Sequence, residues 1–110
     1  MPVEQRRERR VQVQYPISFE GNQGVSKGKL FNLSMGGCAI ESGSYVQVGT
    51  TVTLRVYIPT HKEPIHIDRA GVTWSAGQDF GVEFADIDSK EKERLQKLIA
   101  DLQEGKGSIH

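Results

Sequence analysis

A single cysteine, Cys38, stands in a chain of 110 residues, so no internal disulfide and no cluster of thiolate ligands is available. Alone, Cys38 reads as a small buried residue in a strand. Charge of either sign in excess is also missing. Fourteen basic residues balance 14 acidic ones, for a net charge of zero. That excludes the global basic field of a long nucleic-acid footprint, so any anion site must be local. No apolar run approaches the roughly 18 residues of a membrane helix, and no membrane insertion is expected. The first ten residues, MPVEQRRERR, carry charge but no following apolar stretch, unlike a secretory signal. A cytoplasmic location is the default expectation. Aromatics are few, with four Phe, three Tyr and one Trp, and most of them fall at strand positions expected to point inward.

What is present is a long alternating pattern. Val11, Val13, Tyr15, Ile17 and Phe19 alternate with Gln12, Gln14, Pro16, Ser18 and Glu20. Period two marks a strand with one buried face. Pro16 has no amide hydrogen, so its amide position should face away from a ladder partner, as at an edge or bulge. Gly21 to Gly24 reads as a hairpin turn, and a second strand follows from about Val25 to Asn32. After the glycine-containing turn at Leu33–Gly37 comes a short third strand, Cys38–Glu41. Ser42 to Thr50 reads as a loop. Val52, Leu54, Val56 and Ile58 define a fourth strand. Ile65, Ile67, Val72 and Trp74 belong to a fifth, with an irregularity expected near Ala70-Gly71. Ala76-Gly77-Gln78 turns the chain into a sixth, carried by Phe80, Val82 and Phe84.

The period then changes. Asp88 is placed to cap a helix, and Glu91 three residues later completes a capping-box pattern. Leu95, Leu98, Ile99 and Leu102 share one helical face, and Gly105 is placed to stop the helix. The expected architecture is therefore mainly β: a six-stranded antiparallel barrel, residues 11–105, with a C-terminal helix at about 88–104. Residues 1–10 are expected to form a flexible arginine-rich arm ahead of it.

Two constellations carry chemistry. Arg6, Arg7, Arg9 and Arg10 place four guanidiniums in five residues. They repel one another on a solvated tail and become favourable when an anion arrives. Arginine offers bidentate bonds to phosphate and to the O6/N7 edge of guanine, and its flat face stacks on bases. The second is Asn32-Leu33-Ser34-Met35-Gly36-Gly37. It serves equally as an ordinary strand connection, with Asn32 and Ser34 satisfying local amides, or as a base-reading turn that a flat ligand can approach at Gly37. Trp74 is either a packing residue or a stacking surface.

Taken together, the two constellations are far more specific. Arg6 and Arg10 form an RxxxR directly before Val11, and Asn32, Ser34 and Gly37 form a (D/N)xSxxG after the second strand. This pairing resembles the double signature of the PilZ domain, as do the element order and the late Gly81-Val82-Glu83-Phe84 strand. The resemblance spans essentially the whole chain. It implies a β-barrel that binds cyclic di-GMP. The arginines would hold phosphate and guanine, the second motif would contact a guanine, and Trp74 would flank the nucleotide. With such a ligand, signalling is expected to run through ordering of the arginine-rich arm and a changed surface read by a downstream protein. Asn32 stands where many members carry Asp, which removes a charge from that contact. Where such domains hold a stacked pair of ligands, an extra arginine just upstream of RxxxR tends to help. Here Glu4 and Gln5 occupy that flank, so one ligand per chain is expected.

Other chemistries find little support. His61 and His66 flank a turn with no third ligand, so no metal is expected. Ser34 has no G-x-S-x-G elbow, no glycine-rich loop opens a helix, and no catalytic residue is assigned. Asp86, Asp88 and Asp101 read as capping or solvated groups. The rival functions are a protein–protein adaptor of the same fold that binds no nucleotide, and a small-barrel binder of single-stranded RNA. No cofactor is expected.

Overall fold

The computed structural model describes residues 10–22 and 24–103. Six strands and one helix follow in chain order: β1 (Val11–Gly21), β2 (Gly24–Leu33), β3 (Gly37–Ser42), β4 (Thr51–Val56), β5 (Ile65–Ala76), β6 (Asp79–Asp86) and α1 (Ser89–Gln103). They close into an antiparallel barrel in the order β1-β2-β3-β6-β5-β4, with β4 returning to β1. Closure gives every strand a neighbour on both sides, although β4 pairs with only the second half of β1. Pro16 sits where its missing donor costs little. Its carbonyl accepts from Tyr57 N at 2.9 Å, just beyond the last β1–β4 pair, Ile17↔Val56.

The alternating apolar residues fill the barrel. Ile17, Leu30, Ile40, Leu54, Ile67 and Phe80 are at most 1% exposed. Burying each such side chain is worth about 1.5–3 kcal/mol. Phe19 and Phe80 meet edge to face with ring centres 5.1 Å apart. The other aromatics depart from the expected inward pattern. Tyr45, Tyr57 and Trp74 are exposed, and Tyr15 and Phe84 only border the core. Tyr45 lies in the connection after β3 and Tyr57 just past the end of β4, where no alternation governs direction.

Trp74 has a different cause. One extra residue in β5 falls between the pairs Val72↔Val82 and Trp74↔Gly81. A bulge of this kind flips the phase of alternation. Val72 points inward, and Trp74, two residues on, therefore points out. A second bulge, between Leu30↔Ile40 and Asn32↔Ala39, does the same in β2. It keeps Leu30 and Leu33 in the core and turns Asn32 outward. The irregularity expected near Ala70-Gly71 is present between Arg69 and Ala70.

Asp88 caps α1 as expected, accepting from Lys90 N at 3.1 Å. The capping box does not close. Glu91 Oε1 instead accepts from the β5 amide of His66 at 3.0 Å and from Arg94 Nη1 at 3.1 Å. A part-buried strand amide reaches water less readily than the amide at the start of an exposed helix, so it gains more from the carboxylate. Arg94 also donates to the carbonyls of Glu63 and Pro64 and to His61 Nδ1. The two histidines thus belong to this polar clasp, His66 through its amide and, on its ring, through Asp68. Leu95 and Ile99 are buried against the barrel, with Leu98 at the margin. Gly105, the expected stop, lies outside the described residues. Among the described residues no helix is long and apolar enough to cross a membrane.

Candidate ligand-binding face

The strand registers place one row of residues across the outside of the barrel. Gln12 pairs with Asn32, Asn32 with Ala39, Ala39 with Gly81, and Gly81 with Trp74. The middle of the row has almost no side chain, so it forms a low floor between Asn32 and Trp74. The floor opens into a cavity of about 620 Å³ lined by Arg10, Asn32, Gly37, Thr73, Trp74 and Glu83, among others. Four of the eight residues singled out in the sequence, Arg10, Asn32, Gly37 and Trp74, therefore meet in one concavity.

Arg10 Nη1 donates to Asn32 Oδ1 at 3.2 Å, which joins the end of the first motif to the start of the second. Arginine has no acceptor, so the atom facing it is the amide oxygen, and the Asn32 NH2 is left to other partners. Arg6, Arg7 and Arg9 lie outside the described residues, as does the rest of the expected arm.

Ser34 occupies a different layer. It is fully buried beneath the turn and does not line the cavity. Its amide donates to Gly37 O at 2.9 Å, and its hydroxyl lies 3.3 Å from both Gly37 O and the Gly36 amide. These bonds set the path of residues 34–37. Phe84 N donates to Gly36 O at 2.8 Å and fastens that turn to β6. Gly37 is bare for a reason of packing. A Cβ built there would run into the carbonyl oxygen of Val82 on the neighbouring strand.

Gly81 is bare because Trp74 lies on it. A Cβ at Gly81 would fall among the indole atoms Nε1, Cε2 and Cδ1. The ring is packed against the β6 backbone, yet the residue remains 43% exposed. The barrel thus covers one side of the indole and leaves part of the ring open to solvent. Thr73, the bulge residue, helps hold this corner with its hydroxyl 3.4 Å from Gly81 O.

Cys38 is buried in β3 beneath the same face. Burial pushes its thiol up to about 12, with nearby Arg10 opposing the shift. It stays a neutral thiol at physiological pH and is no nucleophile.

The sequence reading did not single out Thr73, Glu83, Ala39 or Gly81 as parts of the site. The signal available for Gly81 was a glycine inside a strand, which marks a close approach by another group. A second cavity, of about 400 Å³, lies at the far end of the barrel beside Asn22, Tyr45 and Gln47, and holds none of the motif residues.

A bulge-aimed asparagine and tryptophan stand on the outside of a closed six-stranded antiparallel barrel, with an arginine leading into β1 and a helix closing the chain. The PilZ domain model matches residues 4–101, and the chain belongs to that family. Solved structures share the fold. The PilZ domain of YcgR from Escherichia coli, solved with c-di-GMP, has a TM-score of 0.73 at 15% identity, covering 92% of this chain and 93% of that one. MrkH of K. pneumonia, solved as a c-di-GMP complex, has 0.69 at 18%, covering 97% and 57%. The Bacillus subtilis inhibitor of motility (MotI/DgrA) has 0.78 at 18%, covering 94% of this chain. The chain spans about half of that protein, 54% of its length. A comparison with curated proteins finds no match.

Proposed function

We propose that this domain is a receptor for cyclic di-GMP and performs no chemistry on it. The observation that carries this reading is the convergence of Arg10, Asn32 and Trp74 on one cavity of a barrel whose relatives YcgR and MrkH were solved with that ligand. Each residue supplies what the ligand needs. Arg10 matches phosphate oxygens and the O6/N7 edge of guanine. The open Trp74 face takes a guanine by stacking, worth about 1–3 kcal/mol per base. Asn32 offers its amide hydrogens to an acceptor on a base, and Gly37 gives the cavity a low wall. Ser34 acts through the turn, by holding residues 35–37 in place.

Arg6, Arg7 and Arg9 are proposed to close over the ligand from the arm. Ordering that segment costs roughly 1–2 kcal/mol per residue, offset by charge-assisted bonds. The ordered arm then forms a new surface for a downstream protein. The single-stranded RNA reading is disfavoured by the placement of the exposed aromatics. Tyr45, Tyr57 and Trp74 belong to three different segments of the barrel rather than to one track of successive stacking platforms.

Calorimetric titration tests this reading against its rivals. Cyclic di-GMP is expected to bind with one molecule per chain, while GTP and a short single-stranded RNA give no saturable heat. An equivalence point at two would assign Arg7 and Arg9 to a second ligand. Silence with all three would favour the adaptor reading, and saturation by the RNA would favour the third.

A further inference from the structure

Glu83 is unexpected on a face built for an anionic ligand. It is exposed on β6 and lines the same cavity as Arg10 and Trp74. Its register neighbours are Gly37 on β3 and Gly71 on β5, so no side chain stands beside it on either strand. The space at Gly71 is empty as well, since a Cβ there would meet nothing within 4 Å. Among the described residues its carboxylate has no hydrogen-bond or ion-pair partner, and no other carboxylate lines the cavity.

A free carboxylate repels the phosphates of a cyclic dinucleotide. It also has the one property Asn32 lacks here. A guanine presents N1–H and N2–H side by side, and this donor pair calls for two parallel acceptors. Asn32 has a single amide oxygen, already shared with Arg10. A carboxylate has two oxygens and a charge that strengthens both bonds. Adenine shows an acceptor at N1, which would face the carboxylate with like polarity. We propose that Glu83 determines base specificity by accepting hydrogen bonds from N1–H and N2–H of a guanine laid against Trp74. This rests on reading the face as a cyclic di-GMP site.

The test crosses a residue change with a ligand change, a double-mutant cycle in which one partner is the base. Wild type and Glu83→Gln are titrated with cyclic di-GMP and with cyclic di-IMP, which lacks the exocyclic N2 amine. Wild type is expected to prefer cyclic di-GMP by about tenfold or more, the usual worth of a charge-assisted bond. Glu83→Gln should lose about tenfold for cyclic di-GMP and bring the two ligands to within about threefold of one another. Thermal unfolding of the variant should match wild type, because the side chain is exposed and unpaired. Unchanged or tighter cyclic di-GMP binding by Glu83→Gln would mean that Glu83 only repels phosphate, and the proposal would fall while the receptor reading stood. An unchanged preference between the ligands would overturn it equally. Failure of wild type to bind either ligand would remove the receptor reading and this one with it.

Discussion

Replacing Arg10 with alanine is expected to weaken cyclic di-GMP binding by about 2–5 kcal/mol, a loss of roughly 30-fold to several thousandfold. Arg10 is the one arginine of the motif described in the structure, and its guanidinium already points into the cavity through Asn32. Two terms add in this variant. The charged contact to the ligand disappears, and Asn32 loses the partner that holds its amide in one orientation. Arg10→Lys should recover only part of the loss, because an ammonium keeps the charge but not the planar fork. Stability should hardly move, since the Arg10–Asn32 bond is exposed. Isothermal titration with circular dichroism as a fold control checks this. Wild-type affinity in a folded Arg10→Ala protein would mean that the motif is not the ligand grip.

Gly81→Ala should have a comparable effect on binding by a wholly different route. The added methyl would sit 2.7 Å from Trp74 Cδ1 and closer still to Nε1 and Cε2. The indole must therefore swing off the β6 backbone and lose the orientation that makes it a platform. Loss of one stacked base costs about 1–3 kcal/mol, or roughly 5- to 150-fold in affinity. The fold should survive, because the conflict is with an exposed side chain that has room to move. Gly37→Ala gives the contrasting case. There the methyl meets the Val82 carbonyl, part of the strand itself. The β3–β6 pairing must shift, and a loss of more than about 2 kcal/mol in stability is expected. Chemical denaturation of both variants beside their binding curves separates the two effects. A Gly81→Ala protein that binds normally would show that Trp74 does not stack on the ligand.

The period-two runs carried most of the fold. Ile17 and Phe19, Leu54 and Val56, and Phe80 and Val82 all point where alternation sends them. The helix start followed from Asp88, and its buried face from the spacing of Leu95 and Ile99. Pairing order was not legible. Nothing local in β3 says that β6 lies beside it, or in β4 that β1 does. Such contacts are set by how the barrel closes.

For the candidate site the sequence offered residues but not the surface they share, and of the eight only Arg10, Asn32, Gly37 and Trp74 line the cavity among the described residues. Asn32 and Trp74 face outward only because each follows a one-residue bulge. A bulge reverses inside and outside without leaving a residue type that announces it. Ser34 has the composition of a ligand-binding hydroxyl, yet the turn keeps it buried. Glu83 looks in the sequence like any outward polar position in a strand. Only its two glycine neighbours across the sheet set it apart.

Trp74 is the only tryptophan in the chain, so its fluorescence reports from this one place. Titration of the intact protein with cyclic di-GMP, followed at the tryptophan emission, tests the central claim most directly. Stacking of a guanine on the open indole face should give a saturable change in intensity. Its midpoint should match calorimetry, and Arg10→Ala should abolish the change. Emission that stays constant while calorimetry reports saturation would place the ligand elsewhere on the barrel and contradict the assignment of this face.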